Sequence, residues 1–187
     1  TKGIPHRFQA FERLLELRED LAGQVSLLQI APPTRGEMEA YRDIRDETEQ
    51  LSGRINGRFA DLDWTPIRYI HRAVPRERIA HLFRQAAVGL VTPLADGMNL
   101  VAKEYVAAQD PDDPGVLVLS AFAGAAEQME AAIIVNPYDL DQTAAAMATA
   151  LSMGLEERRA RHSALMADLR GRNIGWWSRA FLDSLRS

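Results

Sequence analysis

Residues 88–107 read VGLVTPLADGMNLVAKEYVA, and they indicate the fold more clearly than any other part of the chain. Val88 to Thr92 is a short, β-branched run that predicts a buried strand. Pro93 to Gly97 forms a turn, and the sequence from Asn99 onward predicts a helix. The first amides of a helix are unpaired and its dipole is positive there. A strand, a turn and a helix in this order therefore predict an anion site.

Two carboxylates, Asp96 and Glu104, bracket this helix start. Asp96 also has a purely structural interpretation, because Asp-Gly is common in turns and aspartate caps helices well. Glu104 is flanked by Val101, Ala102 and Val106, an apolar setting in which a carboxylate costs free energy unless it finds hydrogen-bond donors. The hydroxyls of a sugar or a ribose supply such donors. The combination predicts a sugar-nucleotide pocket.

Strands and helices alternate outward from this stretch. The predicted strands lie at 25–31, 67–71, 87–92, 116–120 and 132–135. The predicted helices lie at 5–21, 37–58, 75–86, 99–108, 123–131, 139–153, 155–171 and 173–185. Apolar strands separated by helices predict a Rossmann-like α/β domain, in which a parallel sheet of five or six strands carries helices on both faces. Ligands of such sheets bind outside the carboxyl ends of the strands, where Arg35, His71, Asp96 and Ser120 fall.

Composition excludes several classes of function. The chain has 187 residues, which suits one domain, and its net charge of −4 argues against a nucleic-acid partner. It has no cysteine, which removes disulfides and thiolate chemistry and fits a cytoplasmic location. No apolar run approaches the roughly 20 residues of a membrane span. Glycine-rich dinucleotide or Walker motifs and a Gly-x-Ser-x-Gly elbow are absent, and the four histidines are scattered, so we expect no protein-held metal.

Two cations are candidates for binding phosphate. Lys2 precedes a glycine and a predicted helix, and Arg35 lies in a proline-bounded loop. A guanidinium group binds phosphate oxygens in a bidentate way, which favours Arg35. Arg84 either joins these cations or caps the end of its own helix. We expect His71 to be structural rather than catalytic.

Several blocks of the chain resemble one known family. They are KG-x-P-x-RF at 2–8, QIAPPTRGE at 29–37, GLVTPLADGMNLVAKEYVAAQ at 89–109 and GVLVLSAFAGAAEQ at 115–128. All are similar to trehalose-6-phosphate synthases, and the similarity extends over essentially the whole chain. The resemblance implies the C-terminal, donor-binding half of a two-domain GT-B glycosyltransferase. The family makes trehalose 6-phosphate and UDP from UDP-glucose and glucose 6-phosphate, with retention and without a required metal or other cofactor.

The resemblance also implies a role for each matched residue. Lys2 contacts the donor diphosphate, Arg35 reaches the acceptor phosphate, and Asp96 lies beside the donor glucose. Lys2 and Asp96 are thus the candidate catalytic residues. The remaining matches are substrate-binding: amides of Gly97, Met98 and Asn99 on glucose hydroxyls, Leu100 and Val101 against the diphosphate, Glu104 on the ribose, and Val74, in the loop at 73–75, beside the uracil.

The resemblance divides the chain unevenly. Residues 1–172 are expected to form the nucleotide-sugar-binding domain. Residues 173–187, which carry Trp176 and Trp177, are expected to form a helix that packs toward an N-terminal domain outside this chain. In the family that domain supplies most acceptor contacts and a catalytic histidine. We therefore expect the chain alone to be inactive, and a homo-oligomer is a further possible partner.

Two alternatives stay open. The first is a related retaining transferase with another acceptor, because the acceptor is recognised mainly by residues outside this chain. The second is a catalytically silent module that binds a nucleotide-sugar for regulation. The intact set of Lys2, Arg35, Asp96 and Glu104 weighs against the second alternative. Backbone contacts to the base leave the donor nucleotide undecided among uridine, adenosine and guanosine.

Overall fold

Five parallel strands form the centre of the protein. The computed structural model describes residues 1–33, 39–172 and 174–186. Its strands are β1 Leu27–Ile30, β2 Ile67–Ile70, β3 Val88–Val91, β4 Val116–Ser120 and β5 Ile133–Val135. The predicted parallel α/β class is confirmed. The strands pair as β1-β2 and β3-β4-β5, two sheets rather than the single one expected, because in the described ranges no hydrogen-bonded ladder joins β1 to β3.

Helices connect and cover the strands, as parallel pairing requires. They are α1 Ile4–Leu17, α2 Glu39–Phe59, α3 Arg76–Gln85, α4 Leu100–Ala108, α5 Leu140–Ser152, α6 Leu155–Gly171 and α7 Ile174–Arg186. The helix predicted over 5–21 ends at Leu17, because Arg18 leaves the helical conformation before a short 3-10 turn, Glu19–Leu21. The helix predicted over 123–131 is only a 3-10 turn, Gly124–Glu127.

The two sheets pack against the same hydrophobic cluster, although their strands form separate hydrogen-bonded ladders. The buried side chains of α1, among them Phe8 and Leu14, form one cluster with Ile67 of β2, and Leu90 of β3 packs against the same cluster. All residues of β4 are buried, which matches its continuous Val-Leu-Val-Leu sequence. One common core therefore contacts strands of both sheets.

Tyr105 of α4 fixes that helix against the strands. Its ring is buried, and its hydroxyl donates a hydrogen bond of 2.9 Å to the carbonyl of Ala86. A Cβ atom added at Gly115 would lie 2.2 Å from the Tyr105 hydroxyl, so only glycine fits there. Burial raises the pKa of Tyr105 well above its usual range. The hydroxyl therefore stays protonated and remains a donor.

The helix α7 keeps an exposed apolar surface. Trp177 and Phe181 stack with ring centroids 5.2 Å apart, and both side chains are exposed, as is Leu185. No helix in the part of the chain that the structure describes is long and apolar enough to cross a membrane. The expected packing of this helix on a further domain stays a prediction.

Candidate functional site

Three segments meet outside the carboxyl ends of the strands. The carbonyl of Thr1 accepts a hydrogen bond of 2.8 Å from the amide of Leu94, within the turn that follows β3. The amide of Asp96 donates to Phe122 at 3.1 Å, and the carbonyl of Asp96 accepts from Gly124 at 3.0 Å. The turn is thus held between the N-terminal residues and the segment after β4. This is the location that the parallel fold predicts for a ligand.

Lys2 and Asp96 form an ion pair at this location. The Lys2 Nζ atom lies 2.7 Å from Asp96 Oδ2, and Asn99 Nδ2 donates to the same oxygen at 3.1 Å. The Lys2 side chain is 66% exposed and that of Asp96 only 18%. Among the described residues, no hydrogen bond reaches the other carboxylate oxygen of Asp96. The pair therefore presents an exposed ammonium group and a largely buried carboxylate with one oxygen available.

The start of α4 completes the anion site. Asn99 has a φ of 70°, a left-handed conformation for which asparagine is enriched, and its side-chain oxygen accepts the amide of Ala102 at 2.9 Å. Since the first amides of a helix have no partner inside it, those of Leu100 and Val101 remain available to a ligand. The side chains of Leu100 and Val101 are exposed. A lysine and a helix N-terminus thus lie side by side.

Glu104 lies one turn further along α4, and its expected apolar setting is wrong. Its side chain is 45% exposed, and Arg76 Nη2 lies 3.3 Å from Glu104 Oε1. The core side of α4 is formed by Ala102, Tyr105 and Val106, so Glu104 points away from it. The apolar sequence neighbours of Glu104 gave a wrong prediction of its surroundings, because adjacent residues of a helix face different directions. The carboxylate is open to a ligand and has a cation beside it.

Among the other candidates, Val74 lies near this centre and Arg84 does not. Val74 is half-buried in the loop before α3, two residues from Arg76, which places this loop close to Glu104. Arg35 lies outside the described residues. Arg84 pairs with Asp110 at 2.5 Å and does not join Lys2. His71 is exposed, with Nδ1 3.4 Å from the Tyr69 hydroxyl.

Ser120 has a structural contact. It is fully buried at the end of β4, and its hydroxyl accepts the amide of Phe122 at 3.0 Å. It therefore shapes the segment that holds Asp96 rather than facing a ligand. In the described ranges, no group of three or more histidine, aspartate or glutamate side chains is arranged to hold a metal ion.

The sequence did not single out two residues that shape the site. Arg7 donates to the backbone carbonyl of Lys2 at 3.2 Å, and a Cβ atom at Gly124 would lie 2.1 Å from the carbonyl oxygen of Gly97. The only signals were an arginine in the first turn after Lys-Gly and a glycine in the block GAAEQ. Neither signal reveals which atoms these residues meet in the folded chain.

The fold and the site define a class of protein. A parallel α/β domain with a lysine, two carboxylates and a helix start outside its strand ends is typical of domains that bind nucleotides or sugar phosphates. A family model described as glycosyltransferase family 20 matches residues 1–187. The chain belongs to that family.

Curated relatives match this chain over its whole length. It is 54% identical over 186 residues to a trehalose-6-phosphate synthase of Klebsiella pneumoniae, which covers 100% of this chain and 39% of that protein. A trehalose-6-phosphate synthase of Escherichia coli is 50% identical over 186 residues. The resemblance inferred from the sequence is confirmed. The chain spans about two fifths of the length of these relatives.

Solved structures of trehalose-phosphate synthases also match the fold of this chain. A UDP-forming trehalose-phosphate synthase from Burkholderia xenovorans in complex with glucose-6-phosphate has a TM-score of 0.95 and 60% identity, covering 99% of this chain and 40% of that one. A trehalose-6-phosphate protein from E. coli bound with UDP-2-fluoro glucose has a TM-score of 0.96 and 50% identity, covering 100% and 42%. The fold prediction, the C-terminal part of a GT-B glycosyltransferase, is confirmed.

Proposed function

We propose that this chain is the donor-binding half of a UDP-forming trehalose-6-phosphate synthase, which transfers glucose from UDP-glucose to glucose 6-phosphate with retention. The observation that carries the proposal is the Lys2–Asp96 ion pair at the start of α4. It is supported by the relatives above, one in complex with glucose-6-phosphate and one with UDP-2-fluoro glucose. Both are similar to this chain over nearly all of its length.

The geometry suits a nucleotide-sugar. The Lys2 ammonium and the amides of Leu100 and Val101 together bind the negative diphosphate. Asp96 accepts hydrogen bonds from glucose hydroxyls, and the amides of Gly97 to Asn99 lie beside it in the sequence. Glu104 accepts both ribose hydroxyls, and the loop at Val74, which leads to Arg76 and so to Glu104, receives the base. In the same proposal Arg35 binds the acceptor phosphate.

On the donor side, the chemistry needs groups that stabilise the leaving diphosphate. The bond between the anomeric carbon and the UDP oxygen breaks while the acceptor oxygen bonds to the same face of that carbon. Lys2 and the start of α4 hold the charge that develops on the departing phosphate. A phosphate oxygen accepts the proton of the acceptor hydroxyl, so no separate base is required. Asp96, held by Lys2 and Asn99, acts on a sugar hydroxyl rather than as a nucleophile.

We infer that catalysis requires an N-terminal domain, toward which the exposed apolar face of α7 packs, and that residues 1–172 form the binding domain. The chain alone then binds donor without transferring glucose.

We propose that no metal or other cofactor takes part, since Lys2 and the helix start supply the positive charge. A cytoplasmic location fits the absence of cysteine and a UDP-glucose donor.

Titration calorimetry tests the binding step. The 187-residue chain is titrated with UDP, ADP and GDP, and tight binding of UDP is expected. The variant Lys2→Met should weaken UDP binding by at least about tenfold, the loss of one charge-assisted contact. Lys103→Met is the matched control, because Lys103 lies on α4 and contacts Gln128 instead of the site. Equal affinities of both variants would contradict the assigned role of Lys2.

A fusion tests the transfer step. The chain is joined to the N-terminal part of the Klebsiella pneumoniae relative, and UDP release from UDP-glucose is followed with glucose 6-phosphate or with glucose. Release that depends on glucose 6-phosphate supports the proposal. Release only with a different acceptor would favour the related transferase. Binding of donor with no release by a fusion that carries both domains would favour the silent regulatory module.

A further inference from the structure

Arg7 connects three separate segments beneath the donor site. It lies half-buried in the first turn of α1. Its Nε atom donates to Thr92 Oγ1 at 3.2 Å, and Nη1 donates to Gln29 Oε1 at 2.5 Å. Its Nη2 atom donates to the carbonyl of Lys2 at 3.2 Å. One guanidinium group therefore joins β1, the end of β3 and the N-terminal residues.

The acceptors on the strands are rigidly placed. Thr92 is 2% exposed and directly follows β3. Gln29 lies within β1, and its amide nitrogen donates to the carbonyl of Ile30 at 3.0 Å, which turns its oxygen toward Arg7. Because β1 and β3 share no ladder among the described residues, Arg7 supplies a polar connection between the two sheets at their carboxyl ends.

Lys2 depends on that connection for its position. A lysine side chain is long and flexible, so the location of its ammonium group follows from where its backbone is fixed. The next residue, Gly3, has a φ of 67° and lies so close to Thr92 that a Cβ atom would be 2.6 Å from its carbonyl oxygen. The backbone of Lys2 is thus held by Arg7, by this contact and by the hydrogen bond of Leu94 to the neighbouring carbonyl of Thr1.

Arg7 has no carboxylate partner among the described ion pairs, and all three of its acceptors are neutral oxygens. Burial lowers the pKa of Arg7 to about 10, so the group is still charged at neutral pH. A half-buried charge without a counter-ion is costly. The three hydrogen bonds that Arg7 donates to these oxygens therefore fix its position and, through Nη2, that of the Lys2 carbonyl.

We propose that Arg7 is a positioning residue for the donor diphosphate: it holds the backbone of Lys2 so that the Lys2 ammonium group stays beside Asp96 and the start of α4. This inference rests on the proposed function, because it takes the diphosphate as the ligand of Lys2. Arg7 does not itself touch the ligand. Its effect passes through Lys2.

A double-mutant cycle tests the inference. UDP affinity is measured by calorimetry for the wild-type chain, Arg7→Met, Lys2→Met and the double variant. Arg7→Met should weaken UDP binding about tenfold, because the displaced Lys2 ammonium group loses its charge-assisted contact with the diphosphate. In the Lys2→Met background the same change should weaken it less than about twofold. Equal fold losses in both backgrounds would overturn the proposal, because Arg7 would then act independently of Lys2.

Two controls separate positioning from folding. Uridine lacks the diphosphate, so Arg7→Met should leave uridine binding unchanged, whereas general damage to the site would weaken uridine and UDP alike and contradict the proposal. Arg13→Met is the matched control on α1, since Arg13 pairs with Asp141 and Glu16 away from the site, and it should retain UDP affinity.

If the wild-type chain bound no UDP, the proposed function would fail. If UDP bound equally well to wild type and Arg7→Met, only this inference would fail.

Discussion

The replacement Gly124→Ala tests how tightly the site is held. The new Cβ atom would lie 2.1 Å from the carbonyl oxygen of Gly97, whereas ordinary contact begins at 3.4 Å. The two segments must separate by about 1.3 Å to relieve this contact. Two hydrogen bonds resist the movement, Gly124 to Asp96 at 3.0 Å and Ala125 to Met98 at 2.9 Å. Loss or distortion of both, with overpacking, costs about 2–4 kcal/mol.

Urea unfolding measures this cost, and UDP calorimetry measures its effect on the site. We expect Gly124→Ala to lower the free energy of unfolding and also to weaken UDP binding, because the displaced turn carries Asp96 and leads into the start of α4. Gly53→Ala is the control, since a Cβ atom there meets nothing within 4 Å inside α2. It should stabilise the chain by roughly 0.5–1 kcal/mol. A Gly124→Ala chain with unchanged stability and unchanged UDP affinity would refute the argument.

Four further outcomes follow from the same geometry. Glu104→Gln should weaken UDP binding by roughly 1.5–3 kcal/mol, because the ribose hydroxyls lose a charged acceptor, and unchanged calorimetry would remove Glu104 from the site. Tyr105→Phe should lower unfolding free energy by about 1 kcal/mol, since the carbonyl of Ala86 loses its buried donor, and an unchanged urea midpoint would argue against that bond. In the two-domain fusion, Arg35→Ala should raise the KM for glucose 6-phosphate and leave that for UDP-glucose nearly unaltered; the reverse pattern would assign Arg35 to the donor. Asp96→Asn should slow turnover of the fusion with no trapped intermediate, and a glucosyl adduct on Asp96 of the wild-type fusion, detected by mass spectrometry with a slow donor, would contradict the same-face route.

Local sequence patterns predicted the elements where one physical effect dominates. The run Val116–Ser120 matches β4 residue for residue, because a strand buried on both faces requires continuous apolar residues. The first helix was predicted too long, since Leu21 continues the helical spacing although Arg18 has already left the helix. The pattern of apolar residues describes a face, and it does not report the backbone angle at which the helix ends.

For the candidate site, the sequence identified some residues correctly and misjudged or missed others. Motif resemblance assigned Lys2 and Asp96 to the same ligand, and they meet at 2.7 Å although 94 positions separate them. Glu104 was assigned to the right helix but to the wrong environment, because adjacent helical residues face different directions, and its partner Arg76, from another helix, could not be foreseen. Arg7 was not singled out, since its importance depends on three acceptors from three segments. Contacts of this kind exist only once the strands are assembled.

The most direct test of donor binding is a crystal structure of the chain with UDP. We predict a diphosphate oxygen within hydrogen-bonding distance of Lys2 Nζ and of the amides of Leu100 and Val101, with both ribose hydroxyls on Glu104. UDP bound elsewhere, or bound here with its diphosphate turned away from Lys2 and the start of α4, would contradict the account.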